Sequence, residues 1–272
     1  MRVLETAETF DLPDPRAWAL GDLHGNSGWV QTLFPAMRRH DSQVTTVLQL
    51  GDYGFGFPVR GTSPVDYWAS KAGIELVLCT LGNHESWGAV SAAQAEAPHL
   101  AIRVSDVVWL LPRPARFTVG GRTVLSLGGA ASLDKHLRTE GSDWFPDEAI
   151  TNAMVEEAIA GGDADLMLTH ECGLTTVPEA ERVIAANPHQ FPQSALEASR
   201  ASRERVERVR DAVRPHLHAH GHLHVYGERE LPDGRRIVAV NRDTMAGNAL
   251  VLDLATLTYE PLSLAAIRGW RV

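Results

Sequence analysis

Five short apolar runs in this chain each stop at residues that bind metals. WALGDLHGN carries Asp22 and His24 just past its apolar stretch, LQLGDYGFG carries Asp52, and LGNHE presents Asn83, His84 and Glu85. Further on, LMLTHE delivers His170, and GHLH delivers His222 and His224. Carboxylate, amide and imidazole donors together suit borderline divalent ions such as manganese, iron or zinc, whereas an all-oxygen set would point to magnesium or calcium. Gly21, Gly51, Gly82 and Gly221 stand among these residues, where a missing side chain lets the backbone turn sharply and crowd one centre. The stretch HAHGHLHVY places His218, His220, His222 and His224 at every second position. In one continuous strand all of them would face the same side. Such a row is either the solvated face of a half-buried edge strand or part of a metal site.

Donors this far apart in sequence meet only if a scaffold gathers the ends of several strands. The apolar runs at 17–20, 45–50, 74–81, 123–129 and 165–170 are nearly continuous rather than alternating, which is the signature of strands buried on both faces under helices. Helical spacing is present at 27–40 and 147–161, and the segment from 194 to 213 opens with Ser194 and Glu197 at capping-box spacing. FTVGGRTVLSLGG predicts a hairpin turning on Gly120 and Gly121, and ELPDGRRIVAV predicts another on Asp233 and Gly234. The alternation of strands and helices, with hairpins added, predicts an α/β protein with a pair of mixed sheets. In open α/β sheets ligands collect beyond the carboxyl ends of the strands, so the donor residues are expected on one rim. No internal repeat or long linker interrupts the pattern. The Pro/Gly-rich loops at 51–64 and 112–121 are too short to separate domains, and residues 1–272 are expected to form a single one.

Composition narrows the function classes. The chain has 272 residues, 44% hydrophobic and 22% charged, which is ordinary globular usage and enough for a large core. No run approaches the roughly 18 apolar residues of a membrane span, and the opening residues lack a secretory pattern, so a cytoplasmic protein with no membrane partner is expected. Cys79 and Cys172 read as reduced, small apolar residues rather than a disulfide. A net charge of −9 argues against a general nucleic-acid coat, because such binding rests on clustered Lys and Arg. Phosphate remains a possible ligand, since bound metals supply positive charge of their own.

The strings GDLHG, GD, GNHE, a later His and GHLH, in that order across residues 21–224, resemble the calcineurin-like metallophosphoesterase superfamily. GDLHG and GNHE are closest to the spelling of phosphoprotein phosphatases and their bacterial relatives, and the segment from Leu127 to Thr151 resembles bacterial and phage members of undefined substrate. The resemblance implies a four-layer α/β/β/α sandwich with two mixed sheets. It further implies two divalent ions, manganese first, with iron, zinc, nickel or magnesium as alternatives. Asp22, His24 and His224 would hold one ion, Asn83, His170 and His222 the other, and Asp52 would bridge them. A bridging water, activated to hydroxide, would then attack a phosphomonoester or phosphodiester, with His84 assisting the leaving group and no covalent intermediate. His218 and His220 are left over and are expected to be structural, with His220 alternatively supporting a ligand.

This chain departs from phosphoprotein phosphatases at Phe55 and Gly56, where those enzymes carry an Asp that partners the active-site histidine and an Arg that contacts phosphate. Lys135, His136 and Arg138, together with Asn83, are candidate substrate contacts, and Arg242 is another cation in a loop. Glu85 either orients His84 or favours a helix N-terminus. Trp87, Trp144 and Phe145 either stack a base or seal the core, the second being expected. The expected substrate is a phosphorylated small molecule or nucleotide. A nuclease or RNA-end phosphatase, with nucleic acid as partner, and a non-catalytic scaffold of the same fold are the alternatives.

Overall fold

The structure is a computed structural model that describes residues 5–54 and 63–269. Two sheets pack face to face. The first has eight strands, in spatial order Glu5–Ala7, Ala101–Arg103, Val108–Leu110, Leu76–Cys79, Thr46–Gln49, Arg16–Leu20, Ala249–Asp253 and Thr258–Pro261. Its four central strands, from Val108–Leu110 to Arg16–Leu20, run parallel, and the flanking strands are antiparallel. The second has seven strands, in order Gly227–Glu230, Arg236–Ala239, Leu217–His220, Leu166–Thr169, Arg122–Leu127, Ala115–Val119 and Asp11–Leu12. Four parallel strands, from Arg236–Ala239 to Arg122–Leu127, again form its middle.

The continuous apolar runs follow from burial on both faces. In the strand Arg16–Leu20, Ala17 and Ala19 enter the core between the sheets with Leu48, Leu168 and Ala219. Their neighbours Trp18 and Leu20 point the other way, under the helices Ser27–His40, Pro64–Ala72, Trp87–Glu96 and Leu264–Arg268. The second sheet sends Leu125, Leu127 and Met167 outward against the helices Asn152–Ala160 and Gln193–Val213, while Ile237 and Ala239 meet the helix Pro178–Ala186. Helix, sheet, sheet and helix therefore stack as the expected four layers. Truncating a fully buried side chain such as Trp18 to alanine costs about 3–5 kcal/mol in such a core.

Both predicted hairpins form, between Ala115–Val119 and Arg122–Leu127 and between Gly227–Glu230 and Arg236–Ala239. Two helical expectations change. The helix from Gln193 follows Pro192 with no side-chain cap, and Glu197 accepts instead from Gln193 Nε2 at 3.0 Å, so the capping box is not made. The expected helix at 147–161 is a 3-10 turn at Pro146–Glu148 followed by Asn152–Ala160, capped by Thr151 Oγ1. The break has a cause: the buried Glu148 carboxylate turns inward and accepts from Ser132 N and Oγ, both at 2.8 Å. The loop at 112–121 contains one arm of a hairpin, and residues 55–62 of the other Pro/Gly-rich loop lie outside the described residues.

Candidate metal centre

The parallel strands of both sheets end on a common rim, and the donor residues stand just past those ends. Asp22, Asp52, Asn83 and His170 are buried, His24 and His222 are half-buried, and His224 is exposed. Gly51 has φ +96, and a side chain there would strike the His170 ring. Gly82 has no unusual φ; a Cβ on it would fall on the Asp52 carboxylate, so its role is close approach rather than turning. The sharp turning is done by the ligand candidates themselves, since His24, Asp52, His222 and His224 all have left-handed backbones with φ between 47 and 72. Each such non-glycine residue costs on the order of 1–3 kcal/mol, a strain that persists only where the surroundings enforce it.

Asp22, His24, Asp52 and His224 each aim one donor atom into a region where all lie within 4.8 Å of one another. His224 Nε2 is 3.1 Å from Asp22 Oδ2, and His24 Nε2 is 3.6 Å from Asp52 Oδ2. On the far side of Asp52, His170 Nε2 lies 3.3 Å from Asp52 Oδ1 and 3.0 Å from Asn83 Oδ1. The ring of His222 stands 5.0 Å from that of His170.

Hydrogen bonds behind these side chains fix which atoms face inward. His24 Nδ1 donates to Asp243 Oδ1 at 3.1 Å, and His170 Nδ1 donates to the Leu50 carbonyl at 2.7 Å. Each imidazole thus spends its outer N–H and turns Nε2 toward the carboxylates, the arrangement that supporting residues impose on metal-binding histidines. Asn83 Nδ2 donates to Ser132 Oγ at 3.0 Å, which leaves Asn83 Oδ1 facing His170 Nε2. Without a proton on His170 Nε2, lone pairs would confront lone pairs across this contact, so either a proton or a cation must stand between them. Among the described residues two buried atoms at the centre, Asp22 Oδ2 and His222 Nε2, make no hydrogen bond, although His224 Nε2 stands 3.1 Å from the first. An unpaired buried polar atom costs about 1–3 kcal/mol, and a cation relieves several of them together.

The electrostatics express the same demand. Burial opposes a charge on His24, yet hydrogen bonds to Asp52 and Asp243 and the charges of Asp22 and Asp52 raise it to about 9. Burial likewise opposes charge on His170, and the charges of Asp52 and Asp22 carry it to about 10. For Asp52, burial pushes upward, but the charge of His170 and hydrogen bonds from His170 and His24 hold it well below the usual carboxylate range. His222, desolvated beside His170, is pushed well below its ordinary value and presents a neutral lone pair. The pocket draws positive charge to itself, whether as protons or as metal ions.

The model of the calcineurin-like phosphoesterases matches residues 15–226. The chain belongs to that family. A protein of Thermus thermophilus, TT1561, is similar in fold, with a TM-score of 0.51 and 11% identity over 91% of this chain and 98% of its own. A dimetal phosphatase from Danio rerio is similar with a TM-score of 0.53 and 11% identity, covering 89% of this chain and 93% of its own. At such identities the likeness concerns architecture alone. No curated protein matches by sequence. Among the described residues of this phosphoesterase no helix is long and apolar enough to cross a membrane.

A second group borders the candidate metal centre of the phosphoesterase. Arg138 reaches His84 Nε2 at 3.0 Å and Asp134 Oδ2 at 3.1 Å, with Asp134 itself 3.8 Å from His84 Nε2. His84 is anchored through its backbone N–H, which donates to Asp52 Oδ1 at 2.8 Å. The other two candidate contacts turn elsewhere: Lys135 Nζ sits 3.7 Å over the Trp144 ring, and His136 packs edge-on against Phe191. Arg242 is exposed. Trp87 and Trp144 are buried, and Phe145 packs on the same core, so none of the three lies open for stacking. Glu85 neither orients His84 nor starts a helix; its carboxylate accepts from the backbone of Tyr53, Gly54 and Gly82 and ties two ligand loops together. Phe55 and Gly56 lie outside the described residues.

Several members of the site carry no signal in a single sequence. Asp243 holds His24 and also accepts from Asn26 Nδ2. Asn248 accepts from Trp29 Nε1 at 2.6 Å and donates to the Asn241 carbonyl, closing the floor beneath Asp22. Ser132 joins Asn83 to Glu148. Only their position just after strands, as with NRD after IVAV, hints at them.

Proposed function

We propose that this chain is a dinuclear metal-dependent phosphoric ester hydrolase. The observation that carries the reading is the convergence of one donor atom each from Asp22, His24, Asp52 and His224 within 4.8 Å of one another, beside Asn83 Oδ1, His170 Nε2 and the ring of His222. Asp22, His24 and His224 would hold one divalent ion, Asn83, His170 and His222 the second, and Asp52 would touch both. Manganese is the first choice for such mixed donors, with iron, zinc, nickel or magnesium as alternatives. When bound, the ions supply Lewis acidity, which activates water and neutralises charge on the phosphoryl group.

The chain's own residues do the rest. Asp243 and the Leu50 carbonyl keep the His24 and His170 lone pairs aimed inward. His84, fixed through its backbone to Asp52, accepts at Nε2 from the Arg138 guanidinium, and would take up a proton there for the departing oxygen once the substrate draws Arg138 away. Arg138, beside that atom, places a guanidinium where a phosphoryl oxygen would lie, and Asp134 keeps it there. Lys135 and His136 stay candidates only for the outer part of the substrate, given the rings they rest on. We further propose one domain over residues 1–272, working in the cytoplasm on a phosphorylated small molecule or nucleotide; the two free, buried cysteines are in keeping with a reducing compartment.

The test measures hydrolysis of bis-p-nitrophenyl phosphate and p-nitrophenyl phosphate with added manganese, alongside elemental analysis. Expected are about two ions per chain, turnover of at least one ester, and a kcat roughly 10²-fold lower in His84→Ala with metal content unchanged. A protein that binds no divalent ion, or turns over neither ester, overturns the proposal.

A further inference from the structure

A cavity of about 240 Å³ lies under the N-terminal half of the helix Gln193–Val213. Leu133 and Leu223 form part of its wall. Leu223 sits between His222 and His224 in the chain, and Leu133 sits between Ser132, which holds Asn83, and Asp134, which holds Arg138. Consecutive Cα atoms are about 3.8 Å apart, so this wall is one residue away from two ligand candidates on one side and from the His84 group on the other. Pockets for whole drug-sized ligands run to roughly 300–1,000 Å³. This one takes a single ring system.

The rest of the lining says what kind of ring. His189 and Phe191 present aromatic surfaces with centroids 5.5 Å apart. Arg200 and Arg203 also line the cavity, and among the described residues the Nε of Arg203, just beneath that lining, has no hydrogen-bond partner. Aromatic faces beside two guanidinium groups fit a flat group that stacks and offers an acceptor at its edge. An aliphatic chain would satisfy the leucines and leave Arg203 unpaired.

We propose that this cavity binds the nucleobase of a nucleotide whose phosphate lies at the metal centre. The proposal rests on the phosphoesterase reading and deepens it by naming the substrate class. Stacking of a base on an aromatic side chain contributes about 1–3 kcal/mol, enough to set a preference among phosphate esters.

The test uses nucleosides, which carry no phosphate, and so reads the cavity independently of the metals. Adenosine, guanosine, cytidine and uridine are titrated into the full chain, followed by NMR and calorimetry, with and without manganese. At least one should bind, and Leu196→Trp, which fills the cavity from a partly exposed helix position, should weaken it tenfold or more. Arg203→Gln should weaken it about fivefold and gives a second reading should the tryptophan variant fail to fold. With manganese, kcat/KM for the matching nucleoside monophosphate should fall at least tenfold in Leu196→Trp, while that for glycerol phosphate stays within twofold. Nucleoside binding without turnover of either ester would uphold the cavity and remove the hydrolase reading. Turnover of both esters with no nucleoside binding, or with an equal gain from hexyl phosphate, would overturn the cavity proposal and leave the hydrolase.

Discussion

Two pairs of histidines within the seven residues HAHGHLH meet opposite fates. His218 and His220 lie in the strand Leu217–His220, fully buried on its outward face, while His222 and His224 follow the strand in left-handed turns. The first pair faces hydroxyls. Thr169 Oγ1 donates to the Glu171 carbonyl and so accepts from His218 Nε2, and Thr176 Oγ1 donates to His220 Nε2 while His220 Nδ1 donates to the Gly221 carbonyl. Both are held neutral: burial, with His220 and Arg210 nearby, pushes His218 well below its ordinary value, and burial brings His220 to about 4. The second pair faces the carboxylate of Asp22 and the ring of His170. The same side chain is a structural post when its partners are dipoles and a ligand candidate when they are anions with unpaired atoms.

That contrast is open to direct attack. The largest effect is expected from Asp52→Asn and His222→Ala, which should each cut turnover by on the order of 10³-fold, since metal charge stabilisation amounts to several kcal/mol at about 1.36 kcal/mol per decade. Elemental analysis should find fewer ions per chain in both, whereas His218→Leu should keep the full complement. Equal metal loss in His218→Leu would erase the distinction between the pairs. Asp243→Ala, which frees the His24 ring, should weaken metal affinity about 10- to 100-fold in a competitive chelator titration.

Smaller effects belong to the structural pair. Replacing Thr176 by valine strands the His220 Nε2 lone pair and should cost about 1–3 kcal/mol in urea unfolding, with metal content unchanged. The pH dependence has a definite sign. His218 is depressed in the folded protein, because a proton on its partnerless Nδ1 would be buried unpaired. The unfolded chain takes that proton near pH 6.5, so this contribution to stability is complete above about 6.5 and shrinks as the pH falls below it. His218→Leu should flatten the decline in thermal midpoint between about pH 6.5 and 5; an unchanged slope would assign the decline to other groups.

The strands that carry the donors were legible because burial on both faces leaves an unbroken apolar run, as in LVLC and LMLT. Short strands such as Glu5–Ala7 and Thr258–Pro261 were not, since an edge strand paired antiparallel to a neighbour needs no apolar pattern of its own. The helices Pro64–Ala72 and Pro178–Ala186 each have Pro in the first turn, a start signal too weak by itself to mark so short an amphipathic segment. Glu148 falls in a stretch of helical spacing and Glu85 has two local roles open to it, and nothing in the adjacent residues marks a carboxylate that folds inward to backbone donors.

The sequence by itself determined the donor types, their order along the chain and their place just past apolar runs. Those follow from local chemistry, because a strand end followed by Gly and a polar residue is written in adjacent letters. Only the tertiary structure decided which lone pairs point inward. That choice is made by Asp243, Ser132 and the Leu50 carbonyl, partners brought from distant segments whose hydrogen bonds exist only once both sheets have closed on each other.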